Sequence, residues 1–114
     1  MYEYRIFDTQ CDCEVLIRVG QNAKENWLLI DDADQNDLWF HVEDQPSPHV
    51  IIEIPAKCTI TNATLKYAGS LCKQHSKYVN LNKVSIIYTE VKNLVKGKAA
   101  GSVTLKNSPQ KMSV

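Results

Sequence analysis

The chain has 114 residues, 44% of them hydrophobic and 23% charged, which is typical of a single globular domain with one core. Its N-terminus has no basic segment followed by an apolar run, and no apolar stretch approaches the roughly 18 residues that a membrane span requires. We therefore expect one domain over residues 1–114, cytoplasmic and without membrane contact.

The four cysteines are Cys11, Cys13, Cys58 and Cys72. Because no secretory signal precedes them, we expect free thiols rather than a disulfide framework. Their spacing also lacks the paired pattern of zinc knuckles. We therefore expect no metal and no cofactor.

The formal net charge of zero hides a division along the chain. Residues 1–53 carry three basic side chains against twelve acidic ones, whereas residues 54–114 carry ten lysines against the single acid Glu90. Such asymmetry indicates a nucleic acid or another anionic partner. The alternative is that the two halves interleave in space and neutralise each other.

The first quarter of the chain predicts two strands and a short helix. Residues 3–7 and 13–19 read as strands, the second with a clear period of two. A short helix follows over about 22–30, with Asn22 as its N-cap and Glu25 three residues later, the spacing of a capping box.

A hairpin is predicted from Leu38–Val42 and residues 49–54, because the prolines between them cannot continue either strand. Alternation divides its side chains between two faces. The core face is predicted to carry Leu38, Phe40, Val42, Val50, Ile52 and Ile54. The other face is amphipathic and is predicted to carry Trp39, His41, Glu43, His49, Ile51 and Glu53.

The second half predicts a long helix over about 62–79, capped by Thr61 and closed by Asn80. Lys66, Lys73 and Lys77 fall on one face of this helix. The row suits a phosphate backbone, and the alternative is an ordinary solvated face.

Beyond the long helix we expect a strand at 83–89 and a basic loop with Lys92, Lys96 and Lys98. Short strands near 102–106 and 111–114 complete the chain. The predicted fold class is α+β, a mainly antiparallel sheet packed by one long and one short helix.

The motif residues resemble the NFACT-R domain, an RNA-binding module formerly classed as a domain of unknown function. In the first half the resemblance rests on Gly20, Asn22, Ala23, Lys24, Asn26 and Leu28, on DLWFHV at 37–42, and on Pro46, His49, Val50 and Ile51. In the second half it rests on Ala63, Ala68, Ser76, Lys77, Val84, Tyr88, Thr89, Asn93, Lys96, Gly97, Gly101, Val103 and Val114.

The resemblance implies RNA binding, because longer proteins with this module attend stalled large ribosomal subunits and recruit tRNA to extend the trapped peptide. The chain is similar to small stand-alone members of the family. We expect tRNA or rRNA as the partner and the large ribosomal subunit as the platform. One eukaryotic relative is linked to extracellular DNA, so DNA stays an alternative partner.

Two departures from the family pattern lie beside the suspected site. The family usually has a glycine in the turn where this chain has Pro46, Ser47 and Pro48, and Pro48 excludes a positive φ. Trp27 stands where the family generally has a smaller polar residue.

The expected binding mode is electrostatic docking with stacking, without catalysis. Trp39 or Trp27 would stack on an unpaired base, and His41, His49 and Asn22 would supply hydrogen bonds. The alternatives are a core tryptophan covered by the long helix and satisfied core histidines. The residues predicted to neutralise phosphates, a contribution that falls steeply with salt, are Lys24, Lys66, Lys73, Lys77, Lys92, Lys96 and Lys98.

Two other classes of function compete with RNA binding. An RNA-directed hydrolase would use His41 and His49 as acid and base with Asp37 or Glu43 as orienter, but no nucleophile elbow or phosphate loop accompanies them. A protein-interaction adaptor on the ribosome would use the acidic surface 31–37. We expect that the chain is not an enzyme.

Overall fold

The computed structural model describes all 114 residues and contains eight strands and two helices. The helices are α1 (Ala23–Asp32) and α2 (Asn62–Gln74), and neither is long and apolar enough to cross a membrane. The strands are β1 (Tyr2–Asp8), β2 (Cys13–Val19), β3 (Leu38–Val42), β4 (Val50–Ile52), β5 (Ser85–Glu90), β6 (Leu94–Lys96), β7 (Val103–Leu105) and β8 (Gln110–Ser113).

Six of the strands form one antiparallel sheet in the order β1-β2-β4-β3-β5-β8, and β6 pairs with β7 as a separate hairpin. The predicted α+β class, with a mainly antiparallel sheet and two helices, is confirmed. The strand β6 was not predicted, because its residues Leu94–Lys96 were assigned to the basic loop.

The first face of the sheet packs against α2 and forms the main core. Phe40 and Val50 lie opposite each other in the β3–β4 register and are fully buried. Ala68, Leu71 and Cys72 of α2 complete the same cluster. This is the core face that the alternation predicted, and its burial stabilises the domain at roughly 25 cal/mol per Å² of apolar surface removed from water.

The second face is covered by α1 and by the β6–β7 hairpin. Trp39 lies opposite Ile51 in the register, and both pack with Leu29 of α1 and with Val91, which begins a short 3-10 turn. Trp39 is 1% exposed. The core alternative for this tryptophan is therefore correct, although the covering elements are α1 and the hairpin instead of the long helix.

Both predicted N-caps are present. The Glu25 backbone N–H donates to Asn22 Oδ1 at 2.9 Å, and the Thr64 N–H donates to Thr61 Oγ1 at 3.2 Å. The Glu25 carboxylate in turn accepts from the Gln21 N–H, one residue before the position of a standard capping box. The helix α1 extends two residues beyond its predicted end.

The long helix is shorter than predicted, because α2 ends at Gln74 and not at residue 79. The Ser76 hydroxyl donates to the Lys73 carbonyl at 2.7 Å and accepts the Tyr78 N–H at 3.1 Å, so it takes backbone groups that a further turn would use. Lys77 therefore lies outside the helix, and the predicted lysine row is reduced to Lys66 and Lys73.

The expectation of four free thiols is wrong for two of the cysteines. Cys11 and Cys58 form a disulfide with a Cα–Cα distance of 5.6 Å, while Cys13 and Cys72 are free. Their segments meet because Asp8 accepts hydrogen bonds from the backbone N–H groups of Cys11 and Thr61. Sequence spacing could not indicate this meeting.

The acidic and basic halves of the sequence interleave, as the alternative interpretation of the charge asymmetry proposed. The strand β3 lies between β4 and the lysine-rich half's β5. Ion pairs between Asp31 and Lys96 and between Glu43 and Lys111 also join the two halves.

Candidate nucleic-acid interface

A cleft of about 620 Å³ opens where the N-terminus of α1 meets the sheet. We call it the histidine cleft, because His41, His49 and His75 line it. Gly20 and the first residues of α1 form one side, the turn 46–48 forms the other, and Gly101 and Tyr2 complete the boundary. Several of the motif residues of the sequence therefore come together here.

Three aromatic rings meet between the cleft and the core, and two of them, His41 and His49, line the cleft. The ring centroids of Trp39 and His41 are 5.5 Å apart and nearly parallel, and His49 lies edge-on to both at 5.4 and 5.2 Å. A neighbouring cavity of about 310 Å³ is lined by all three rings and by Gly101. The three rings therefore separate the core from the cleft.

The hydrogen bond of His41 fixes its tautomer. Its Nδ1 lies 2.6 Å from the Val42 carbonyl oxygen, which can only accept, so Nδ1 carries a proton. Burial lowers the pKa of His41, and the hydrogen bond to Val42 opposes that shift only in part. In the neutral ring Nε2 is therefore an acceptor.

His49 is 2% exposed and is neutral for the same reason. Burial, followed by the proximity of His41, lowers the pKa of His49 to about 3, against a hydrogen bond to the Gly101 backbone that raises it. The Nδ1 of His49 and the Nε1 of Trp39 are both buried without a hydrogen-bond partner. Unpaired buried polar atoms of this kind are rare in folded proteins.

Two glycines allow the backbone segments that line the cleft to pack closely against their neighbours. A Cβ at Gly20 would lie 2.1 Å from Asn26 Oδ1, the atom that accepts the His49 backbone N–H. Gly101 has φ of +83°, and a Cβ there would lie 2.9 Å from Ala23 Cα. Both positions therefore require glycine.

The turn that departs from the family pattern is held by Ser47. The Ser47 hydroxyl accepts the Val42 N–H and donates to the Pro48 carbonyl, both at 3.0 Å. The positive φ in this connection falls on Asp44, at +57°. Pro48 therefore fits its position, and the turn is a well-anchored wall of the cleft.

The outer rim contains two rings that were not predicted as site residues. Tyr2 is 44% exposed and its ring centroid is 4.4 Å from that of His75, which caps α2. The Tyr4 hydroxyl lies 2.6 Å from His75 Nε2. Neither residue carried a signal in the sequence, because Tyr2 precedes the strand predicted over 3–7 and position 75 fell inside the helix predicted over 62–79.

The predicted lysines differ in their surroundings. Lys92 and Lys96 form ion pairs with Glu90 and Asp31, and Lys73 donates to the Val114 carbonyl. Among the lysines predicted to contact phosphates, Lys24, Lys66, Lys77 and Lys98 make no ion pair or hydrogen bond. Three of these lie within two residues of a cleft residue in sequence: Lys24 follows Ala23, Lys77 follows His75 and Lys98 precedes Ala100.

The two tryptophans differ in their exposure. Trp39 is buried in the core. Trp27 donates its Nε1 proton to the Ser102 carbonyl at 3.0 Å, and the Lys96 ammonium lies 5.1 Å from its ring centroid. Asn22 lines the cleft, but its side-chain oxygen is engaged as the helix cap, which leaves its amide nitrogen to donate.

The proposed orienters of a catalytic histidine are engaged elsewhere. Asp37 is 2% exposed and accepts the backbone N–H groups of Asp34 and Ile54. Glu43 accepts from Lys111 and Ser85. The burial of Asp37 also removes it from the acidic surface suggested for an adaptor. Nowhere do three His, Cys, Asp or Glu side chains converge to hold a metal ion.

The comparisons with known proteins agree with the motif residues. A family model described as the NFACT protein RNA binding domain matches residues 3–107. The chain is 30% identical over 91 residues to the Rqc2 homolog RqcH of Bacillus subtilis. The aligned region covers 77% of this chain and 15% of that protein. It is 33% identical over 84 residues to coiled-coil domain-containing protein 25 of Danio rerio, covering 70% of this chain and 41% of that protein.

Among solved structures, the fold is similar to the C-terminal part of the fibronectin/fibrinogen-binding protein of Streptococcus suis. The TM-score is 0.83 at 28% sequence identity, and the match covers all of this chain and 45% of that chain. The chain therefore spans less than half the length of each of these relatives.

Proposed function

Because the chain belongs to the NFACT RNA-binding domain family, as its motif residues predicted, we propose that it binds tRNA or rRNA through the histidine cleft and the lysines beside it. The observation that carries this proposal is a neutral, polar cleft whose bordering segments supply three unpaired lysines. Polar groups suit the reading of bases, and lysines suit the neutralisation of phosphates.

The distribution of charge indicates which part of the site contacts phosphates and which part contacts bases. No lysine or arginine lines the histidine cleft, and its histidines are held neutral by burial. Phosphates are therefore expected at Lys24, Lys77 and Lys98, outside the cleft. Lys66 and Lys73 on α2, with the ion-paired Lys92 and Lys96, would contact a longer RNA only at its periphery.

The same arrangement supports binding without catalysis. A hydrolase needs an imidazole that exchanges a proton near neutral pH, and the low pKa of His49 does not meet that requirement. Asp37 and Glu43, which would orient a catalytic histidine, are held by other partners. His41 and His49 therefore act as hydrogen-bonding groups in this proposal.

The proposed setting is ribosome quality control in the cytoplasm, with the large ribosomal subunit as the platform. Support comes from the similarity to the Rqc2 homolog RqcH, of which the chain covers 15%. Sequencing of nucleic acid crosslinked to the protein in cells tests this setting. Enrichment of tRNA or large-subunit rRNA is expected, and enrichment of DNA or of no nucleic acid would contradict it.

The lysine assignment is tested by the salt dependence of tRNA binding. Replacing Lys24, Lys77 and Lys98 together with glutamine removes three positive charges while keeping most of each side-chain stem. The slope of log K against log salt should flatten by roughly 0.7–0.9 for each phosphate that is no longer neutralised, or about 2–3 in total. Fluorescence anisotropy of labelled tRNA over a salt series gives the slope.

The matched control is the double replacement of Lys57 and Lys106 with glutamine. Both lysines are exposed, make no ion pair and lie in segments that do not line the cleft. Their removal should leave the slope nearly unchanged. An unchanged slope in the triple variant, with a flattened one after replacement of Lys66 and Lys73, would move the RNA to α2 and contradict the proposal.

A further inference from the structure

Two unpaired buried nitrogens belong to the rings between the histidine cleft and the neighbouring cavity, and they indicate a ligand more specific than a phosphate backbone. His49 lines both spaces, and Trp39 lines the neighbouring cavity. Trp39 Nε1 is always a donor. His49 Nδ1 can donate or accept, according to the tautomer of the neutral ring. The structure therefore offers two ring nitrogens without partners, on rings whose centroids lie 5.4 Å apart.

The unpaired ring nitrogens, with the acceptor Nε2 of His41, complement the edge of a nucleobase, because each of the four bases presents both donors and acceptors on its Watson–Crick edge. A phosphate offers acceptors alone, and neutral histidines give it no charge to pair with. The cleft volume of about 620 Å³ is within the usual range of small-molecule sites, roughly 300–1,000 Å³. Size and polarity therefore both suit a base.

The rim of the cleft supplies the surface on which a base stacks. Tyr2 is the exposed aromatic ring there, and its contact with His75 holds it in place. Stacking on tyrosine is tolerant of sequence, since every base has a π-face. The cleft thus combines an aromatic ring at its rim with the ring nitrogens of His41 and His49.

We propose that the histidine cleft takes one unpaired nucleobase of an RNA strand, stacked on Tyr2 with its hydrogen-bonding edge toward His41 and His49, whose rings contact Trp39. This inference rests on the proposed function and names the part of the RNA that the cleft recognises. It implies that single-stranded loops or ends are bound in preference to a continuous duplex, because a paired base does not expose its edge.

The first test uses nucleoside 5′-monophosphates as probes and the two indole N–H signals of the ¹⁵N-labelled protein as reporters. At least one of the four monophosphates should shift the Trp39 signal, whereas ribose 5-phosphate and inorganic phosphate should not. Trp27 is the internal reference, because its indole proton already bonds Ser102. Equal shifts with inorganic phosphate, or no shift of Trp39 with any monophosphate, would overturn the base site.

The second test uses Tyr2→Ala, a change at an exposed position, in binding to a short single-stranded RNA. The affinity should fall by roughly 5- to 150-fold. Phe7→Ala is the matched control, because Phe7 is an exposed ring at the other end of the same strand and should change binding less than about twofold. Equal effects of the two changes would overturn the stacking role.

These outcomes separate the two proposals. If the cleft fails both tests while the lysine variants still flatten the salt slope, RNA binding stands and the base site is wrong. If neither tRNA nor single-stranded RNA binds at any salt concentration, the proposed function fails and the base site fails with it.

Discussion

His49 shows how the surroundings of one side chain decide its protonation. In the folded protein, burial and His41 lower its pKa to about 3, whereas an unfolded chain leaves a histidine near 6.5. At a pH between about 3 and 6.5, this histidine binds a proton in the unfolded state but not in the folded state. Stability is therefore greatest above about pH 6.5 and decreases as the pH falls toward 3.

We expect the free energy of unfolding to fall by up to about 1.4 kcal/mol per pH unit below pH 6.5 from this group alone. His49→Gln should flatten that dependence, because glutamine does not titrate. Urea unfolding at pH 7.5, 6 and 5 measures both slopes. Identical slopes in the two proteins would show that His49 titrates normally.

At the scale of elements, Asp8 joins the end of β1 to the start of α2. Its carboxylate is fully buried and accepts from the Thr64 hydroxyl at 2.6 Å and from the N–H and hydroxyl of Thr61. Burial alone would raise the pKa of Asp8, but these hydrogen bonds and one from the Cys11 N–H outweigh it and hold the pKa far below its usual range. The charged form is therefore the one that docks the helix.

Asp8→Asn should lower the free energy of unfolding by roughly 1.5–3 kcal/mol, the range for hydrogen bonds to a charged group. The stability that Asp8 provides is complete above the pKa of an unfolded aspartate, about 4, and is lost as the pH falls through the lower folded value. The wild type should therefore lose stability below pH 4 more steeply than the variant. Chemical unfolding at pH 7 and pH 3 distinguishes the two, and equal losses would contradict this account of Asp8.

The element boundaries show which local signals are strong enough to read from sequence. Asn22 and Thr61 start their helices where predicted, because an N-cap depends on residues close in sequence. The end of α2 was missed because Ser76 is a weak stop signal that acts only through its two hydrogen bonds. The strand β6 was missed because its partner β7 lies beyond an intervening loop of lysine and small residues.

At the scale of the whole molecule, the Cys11–Cys58 disulfide closes a loop across a sequence separation of 47 residues. A link of this length restricts the unfolded chain, and its loss typically costs about 2–4 kcal/mol of stability. We expect Cys11→Ser, or a reductant, to lower the urea midpoint accordingly. Cys13→Ser is the control, because Cys13 lies in the same region as a free thiol. A midpoint that is unaffected by reductant would show that the bond does not form in solution.

The sequence by itself determined the family, the α+β class, the two faces of the β3–β4 hairpin and both helix starts, because alternation, capping and motif spacing are local properties of the chain. Trp39 was assigned the correct face, but its burial depended on α1 and the β6–β7 hairpin folding back over it.

Only the tertiary structure decided which residues share the histidine cleft. Tyr2, His41, His49 and His75 come from separate segments, and Gly101 closes the boundary from the far end of the chain. These residues meet because of the strand order and because distant backbone segments pack closely together. Neither property can be inferred from a local sequence pattern. Long-range contacts also decided that Lys96 pairs with Asp31 and Lys111 with Glu43.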